Sequence, residues 1–507
     1  MDESSTNASS RTPPTWLVLT IIGLGAFFTA LDQTVVVTVL PAVMLDLRIP
    51  IGELDRVSWV VTAYLLGYTA FMPLFGRLAD VYGLPRLYIV GLVIFAVGSV
   101  LVALSRTLEE LIGARVIQAI GGSAAVPIGF ALAVSAVPRE RQGLALGIVG
   151  GAAEAGSMLG PAYGGAIVEL ANWRWLFWLN LPQVLIVAPL LLLLPNRRQS
   201  GVRVDYLGGA LALAMLLALS LGLSQKGLFT LDSGLPFGLL GAGLALALAL
   251  VYWERGIVQP LLLPLLFRTV NFLSANVSQL LVGVSLVIAL VTVPLMANTV
   301  MGKDPFTGAL WLLRMTCAIP VGAVVGGVLL SRVGNRPVIA VGLLLIALGL
   351  FLVSGWPLDV GEPELTLHLV VAGLGFGLVI APIMAQALNA APAEYHATAS
   401  SMVVVARLMG MTLGLAALAA YGIGHFQSLT GGLALPLPIA GESPGETAAR
   451  VAAYAAELQH AGLDLFHRFF RIAAVVALLA LVPMVFHRRA NRSPDSRLGA
   501  SEWGKDV

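Results

Sequence analysis

Gly76-Arg-Leu-Ala-Asp-Val-Tyr-Gly83 and Gly327-Val-Leu-Leu-Ser-Arg-Val-Gly334 decide the fold of this chain. Each follows an apolar run able to cross a bilayer, and the second begins 251 residues after the first, from 76 to 327. A glycine-bounded turn recurring at that separation predicts a duplicated half of six helices, with two further helices inserted between the copies. Two such halves rocking about a central cavity are the architecture of alternating access.

Composition agrees. Of 507 residues, 58% are hydrophobic and 11% charged, against roughly 25% charged in a soluble domain. An all-α polytopic membrane protein is expected. A span needs about 20 apolar residues, which places helices near 16–45, 56–78, 87–104, 108–130, 141–168, 173–195, 206–226, 235–254, 271–300, 305–331, 336–355, 365–390, 396–424 and 455–486. The predicted organisation is a tail 1–15, a first half 16–195, inserted helices within 196–268, a second half 269–487 and a tail 488–507. Met1–Pro14 lacks the basic-apolar-small order of a cleaved signal, so the run from Trp16 reads as a retained first span.

Basic residues set the orientation. Arg77, Arg86, Arg139, Arg141, Arg197, Arg198, Arg203, Arg255, Arg268, Arg332 and Arg336 fall in one set of loops, with Arg488, Arg489, Arg492 and Arg497 in the tail. Arg48, Arg56, Arg106, Lys226 and Lys303 fall in the opposite set. The richer set belongs in the cytoplasm, so both termini should face inward. A net charge of +2, with scattered basic residues, leaves no nucleic-acid footprint. The single cysteine, Cys317, excludes an intrachain disulfide. His425, His460 and His467 are too dispersed for a metal cage. There is no phosphate-binding loop or nucleophile–base pair, so the chain does not read as an enzyme, and a proton gradient rather than a cofactor is the expected energy source.

Asp32, Arg115, Glu154, Arg314 and Arg407 each interrupt a stretch otherwise able to span. A charge at mid-membrane costs roughly 2.5–3.5 kcal/mol on insertion scales, so it serves a cavity, a proton path or a pair. At 1.5 Å per residue, Asp32 lies about 24 Å along its helix, Glu154 about 20 Å and Arg407 about 15 Å, so the three can share a depth. Arg314 lies about 14 Å deep, so Glu154 could pair with it instead of Arg407 or alternate between the two. Arg115 either positions the proton site or binds carbonyls and Gln118.

These residues resemble the major facilitator superfamily. Gly76, Leu78, Asp80 and Gly83 match its loop motif Gly-x-Leu-x-Asp-Arg-x-Gly-Arg-Lys, while Val81, Leu84 and Pro85 replace basic positions and leave Arg86. The second copy keeps Gly327, Arg332, Gly334 and Arg336 but has Ser331 in place of the acid. The resemblance implies a cytoplasmic latch between the halves, thinner here than in the family. Leu31-Asp-Gln-Thr-Val-Val-Val-Thr-Val-Leu-Pro41, Arg115-Val-Ile-Gln118, Gly156-Ser-Met-Leu-Gly-Pro-Ala-Tyr-Gly-Gly165, Trp173-Arg-Trp-Leu-Phe-Trp-Leu-Asn-Leu-Pro182 and Asp205-Tyr-Leu-Gly208 are similar to markers of the fourteen-helix drug:proton antiporter branch.

Within the branch, Glu154, Arg407 and a long outer segment resemble actinobacterial triacylglyceride exporters, which work beside a lipid-binding lipoprotein. The resemblance implies a monomeric, proton-coupled exporter of an apolar lipid. Glu154–Arg407 would close the outer side, and protonation of Asp32 would help to release it. A fixed structural Glu–Arg pair is the bland alternative; for Asp32 it is the capping of a helix break. Gly151, Gly156, Gly160, Pro161, Gly164 and Gly165 either allow close helix packing or form a pivot between halves, as in the family. Beyond Ile423, a Pro/Gly stretch at Thr430–Gly445 precedes a helical pattern that runs into the last span. The segment 425–470 is expected outside the membrane, either standing or lying on the leaflet, with Gly462 as its break. Multidrug efflux and a non-transporting receptor or scaffold are the competing functions.

Overall fold

A computed structural model of the protein describes residues 14–196, 198, 204–225, 234–257, 259–261, 264–433 and 443–485. Residues 1–13 of the first predicted tail, all of the second, Arg197, Arg203, Lys226 and most of the Pro/Gly stretch lie outside the described residues. Among those described, all regular structure is helical.

Thirteen helices are long and apolar enough to cross a membrane, and one shorter helix stands in sixth place. They are α1 (Thr15–Asp46), α2 (Asp55–Tyr82), α3 (Leu84–Leu104), α4 (Leu108–Ser135), α5 (Arg139–Leu170), the shorter α6 (Trp175–Leu191), α7 (Tyr206–Ser224), α8 (Leu235–Glu254), α9 (Val270–Thr299), α10 (Pro305–Val333), α11 (Asn335–Val353), α12 (Glu362–Ala390), α13 (Ala393–Thr430) and α14 (Gly445–Met484). The sixth differs from its expected 173–195 for a local reason. It breaks at Leu179 into Trp175–Trp178 and Asn180–Leu191. After Pro189 the chain tightens into i−3 bonds, Leu192 N to Pro189 O at 3.1 Å and Leu193 N to Leu190 O at 3.2 Å, and stops.

Packing repeats across the two halves. As α1 lies on α5, α9 lies on α13; α2–α4 is echoed by α10–α12, α3–α4 by α11–α12, and α3–α6 by α11–α14. Gly83 and Gly334, again 251 residues apart, hold φ of 104° and 85°, a region that favours glycine at the α2–α3 and α10–α11 turns. The inserted α7 and α8 pair with each other, and α7 leans on α2 and α13.

The principal packing between halves is α2 on α13 and α5 on α10, with Ala125–Ser135 of α4 on α13 and Ile380–Ala390 of α12 on α5. These contacts gather toward one side of the membrane layer, the side of the Gly76–Gly83 turn, here called the latch side. Toward the opposite, far side, Arg174 pairs with Asp46 and donates to Ser105 O at 3.0 Å, tying the far ends of α1, α3 and α6.

α13 and α14 run 38 and 40 residues, about 57 and 60 Å, or roughly twice the hydrocarbon thickness. They meet where the Tyr421 ring stands 6.0 Å from that of Phe469. The expected break at Gly462 is absent: Pro444–Leu479 is one helix through that residue. A Cβ there would stand 2.9 Å from Val300 Cγ2, so Gly462 serves close approach to the end of α9. Beside it Gln459 Nε2 donates to Val300 O at 2.6 Å.

Candidate functional site

Five polar side chains converge inside the first half. Asp32, on α1, is 1% exposed, and Arg115 and Gln118, one turn apart on α4, are fully buried. Arg115 Nη1 donates to Asp32 Oδ2 at 2.8 Å and to Gln118 Oε1 at 2.6 Å. Asp32 Oδ1 accepts from Gln118 Nε2 at 3.0 Å and from Asn180 Nδ2 at 2.7 Å. Ser99 Oγ accepts from both amides, at 2.8 and 3.2 Å. The Arg115 guanidinium lies 3.9 Å over the Tyr64 ring, which offers its π face where Nε finds no hydrogen-bond partner among the described residues. The break in α6 makes this possible, because it starts the deep helix at Asn180. Asp32 thus accepts from side chains of α4 and α6 and, among the described residues, no hydrogen bond joins it to the backbone N–H of a helix break. It sits in a paired, hydrogen-bonded pocket, as a charge in low dielectric must.

Glu154 and Arg407 meet between the halves. Arg407 Nη1 lies 2.5 Å from Glu154 Oε1, with side chains 16% and 18% exposed. The pair lies one turn beyond Gly151, whose Cβ would stand 3.1 Å from Pro320 O on α10. It thus covers the far edge of the α5–α10 contact. It forms here together with latch-side contact between the halves. Arg314 lies elsewhere in this structure. It pairs with Glu362 at 2.5 Å and donates to Thr366 Oγ1 at 2.8 Å, both on α12 of its own half.

At the latch, Asp80 reaches across to α13, whose N-terminus has no capping side chain of its own. Asp80 Oδ1 accepts from Ala397 N at 2.9 Å, and Oδ2 from Thr398 N and Oγ1 at 2.8 and 2.7 Å. A carboxylate there satisfies orphan amides and meets the positive end of the helix. Arg77, 1% exposed, stacks 4.1 Å over Tyr395. Arg86, Arg332 and Arg336 are exposed.

The α5 glycines fall into two sets. Gly143, Gly147 and Gly151 would drive a Cβ into α10, across the halves. Gly156, Gly160 and Gly164 would drive one into α1, within the first half, and Gly165 meets nothing within 4 Å. Of the glycines offered either for close packing or for a pivot, Gly151 thus faces the other half, while Gly156, Gly160 and Gly164 pack inside their own. Asn180, Ser99 and Tyr64 were missed as site residues because a search for buried charge passes over neutral groups. Asn180 does stand in the quoted Trp173–Pro182 stretch, beside a proline that breaks the apolar run.

A Major Facilitator Superfamily profile matches residues 22–415. A triacylglyceride transporter of Mycolicibacterium smegmatis is 38% identical over 494 residues, covering 92% of this chain and 87% of its own length. That of Mycolicibacterium hassiacum is 40% identical over 447 residues, covering 83% and 82%. That of Mycobacterium tuberculosis is 37% identical over 486 residues, covering 90% and 92%. Among solved structures, the proton:xylose symporter XylE is similar with a TM-score of 0.58 at 13% identity, covering 91% of this chain and 94% of that one. The human organic anion transporter MFSD10 gives 0.59 at 14%, covering 92% and 100%. At such identities the structures speak for the fold alone.

Proposed function

This chain belongs to the major facilitator superfamily and is a membrane transporter of that fold, and from that premise we propose that it exports an apolar, triacylglyceride-like lipid in exchange for protons. The observation that carries the cargo is the extent of the likeness to the mycobacterial triacylglyceride transporters, 37–40% identical over more than four fifths of both chains. Proton coupling is supported by a buried acid, Asp32, held by side-chain hydrogen bonds inside one half.

In this reading the latch side is cytoplasmic, since it carries most of the loop arginines, and the membrane is the bacterial inner membrane. Latch-side contact with Glu154–Arg407 formed corresponds to the state facing the far side. Protonation of Asp32 removes its charge attraction to Arg115 while the hydrogen bonds persist, which weakens the hold of α1 on α4 and, through the α1–α5 contact, shifts Glu154 away from Arg407. The halves can then part on the latch side and admit the lipid. The long α13–α14 pair would guide the lipid outward toward a periplasmic lipid-binding lipoprotein.

The test is flux in proteoliposomes under an imposed proton gradient, with labelled triacylglyceride and ethidium followed side by side and Asp32→Asn as control. Gradient- and Asp32-dependent lipid movement without ethidium flux is expected. Ethidium movement alone would make the protein a drug pump, and no coupled flux of either would revive a receptor or scaffold.

A further inference from the structure

We infer that Asn180 is the positioning residue that governs when Asp32 takes up a proton and that its amide turns over when it does; this rests on the proton-coupled reading above. Asp32 meets three N–H donors, Arg115 Nη1 on one oxygen and the Gln118 and Asn180 amides on the other. Donors favour the ionised acid. A protonated Asp32 needs an acceptor, so one donor has to reverse.

Arg115 has no acceptor atom. The Gln118 oxygen is already held by Arg115 at 2.6 Å, and reversing that amide would aim its NH2 at a guanidinium. Asn180 differs. Its nitrogen is shared between Asp32 Oδ1 and Ser99 Oγ, so reversal places its oxygen against both. The oxygen then accepts the new proton of Asp32, and the Ser99 hydroxyl, which now donates to Phe95 O at 2.8 Å, can donate to it as well. Of the three donors, Asn180 alone can turn with the Arg115 contacts intact. It also opens the deep segment of α6, Asn180–Leu191, so its hydrogen bond ties that helix to α1. The titratable or charged groups that face Asp32 are Arg115 from α4, Tyr64 from α2 and Tyr163 from α5. The α3 and α6 contributions, Ser99 and Asn180, are neutral.

The experiment is an infrared titration of the full chain in lipid, following the carboxylic-acid band that disappears in Asp32→Asn. Asn180→Leu removes one donor at similar volume and is expected to raise the midpoint of that band by about one pH unit. Asn180→Asp keeps the shape and sets a second acid beside Asp32, so its midpoint is expected to rise further. Should Asn180→Leu fail to fold, the isosteric variant carries the test. Midpoints unchanged from the parent protein in the folded variants would overturn the inference, because a merely structural Asn180 alters stability without moving a protonation. If instead Asp32→Asn retains gradient-driven lipid flux, the exporter mechanism falls while the infrared result stands.

Discussion

Two ion pairs, one inside the first half and one between the halves, sit in opposite circumstances. Asp32–Arg115 is sealed inside one half, with side chains 2% and 1% exposed, and is tied by amides from two further positions. Glu154–Arg407 spans the two halves and keeps about a sixth of each side chain accessible. A pair buried within a rigid body is costly to separate, because the abandoned charge stays in low dielectric. One at a boundary can exchange its partner for water as the boundary opens. The first is suited to sense protonation and the second to be made and broken.

The sharpest way to break this contrast is Arg115→Ala. Removing one partner of a sealed pair costs about 3–5 kcal/mol, so unfolding in detergent should show a large drop for this variant. Adding Asp32→Asn should restore part of that stability, since the stranded charge is gone. If the two substitutions add without coupling, the pocket is not the closed pair described.

The latch copies sharpen the same contrast between held and free. Asp80 caps α13 with three hydrogen bonds, whereas its counterpart Ser331 donates to Val328 O of its own helix at 2.8 Å. Asp80→Ala should cost about 2 kcal/mol, at the upper end for a lost cap, and Ser331→Ala within about 0.5 kcal/mol of nothing. Equal effects in a thermal-shift assay would mean that both copies latch. Arg407→Ala comes next in stability, at about 1 kcal/mol, because its pair keeps about a sixth of each side chain open to water. In proteoliposomes, however, its proton-driven flux should fall at least tenfold, and Glu154→Gln should behave alike. Flux unchanged in either variant would reduce the pair to a fixed brace.

Much of this was legible in the chain. The repeated turn predicted the duplicated halves, and the positive φ at both Gly83 and Gly334 is the physical reason that the repeat survives. The buried acids and arginines were legible as interruptions of apolar runs. Their partners were not, because a depth along one helix says nothing of the azimuth at which two helices face. The α5 glycines illustrate what could have been read. Gly143, Gly147 and Gly151 precede Gly156, Gly160 and Gly164 by 13 residues each, which at 100° per residue turns the second set about 220° away from the first. Two faces, hence two neighbours, follow from that arithmetic. The Asn180 contact was beyond it, since it depends on a helix break that places a neutral amide beside the acid.

Arg314 closes the series at its weak end. From depth alone it was equal to Arg407 as a partner for Glu154, yet it lies against Glu362, whose side chain is 65% exposed at the start of α12. A pair in that setting gains little in high dielectric and loses side-chain entropy, so its worth is about 0–1 kcal/mol. Arg314→Ala should therefore shift unfolding barely and leave coupled flux within about twofold of the parent. The informative combination is Arg314→Ala with Arg407→Ala. If Arg314 never meets Glu154 during transport, the double variant loses no more flux than Arg407→Ala alone. A further loss would show that Glu154 passes from one arginine to the other as the halves move, and the boundary pair would then have two positions instead of one.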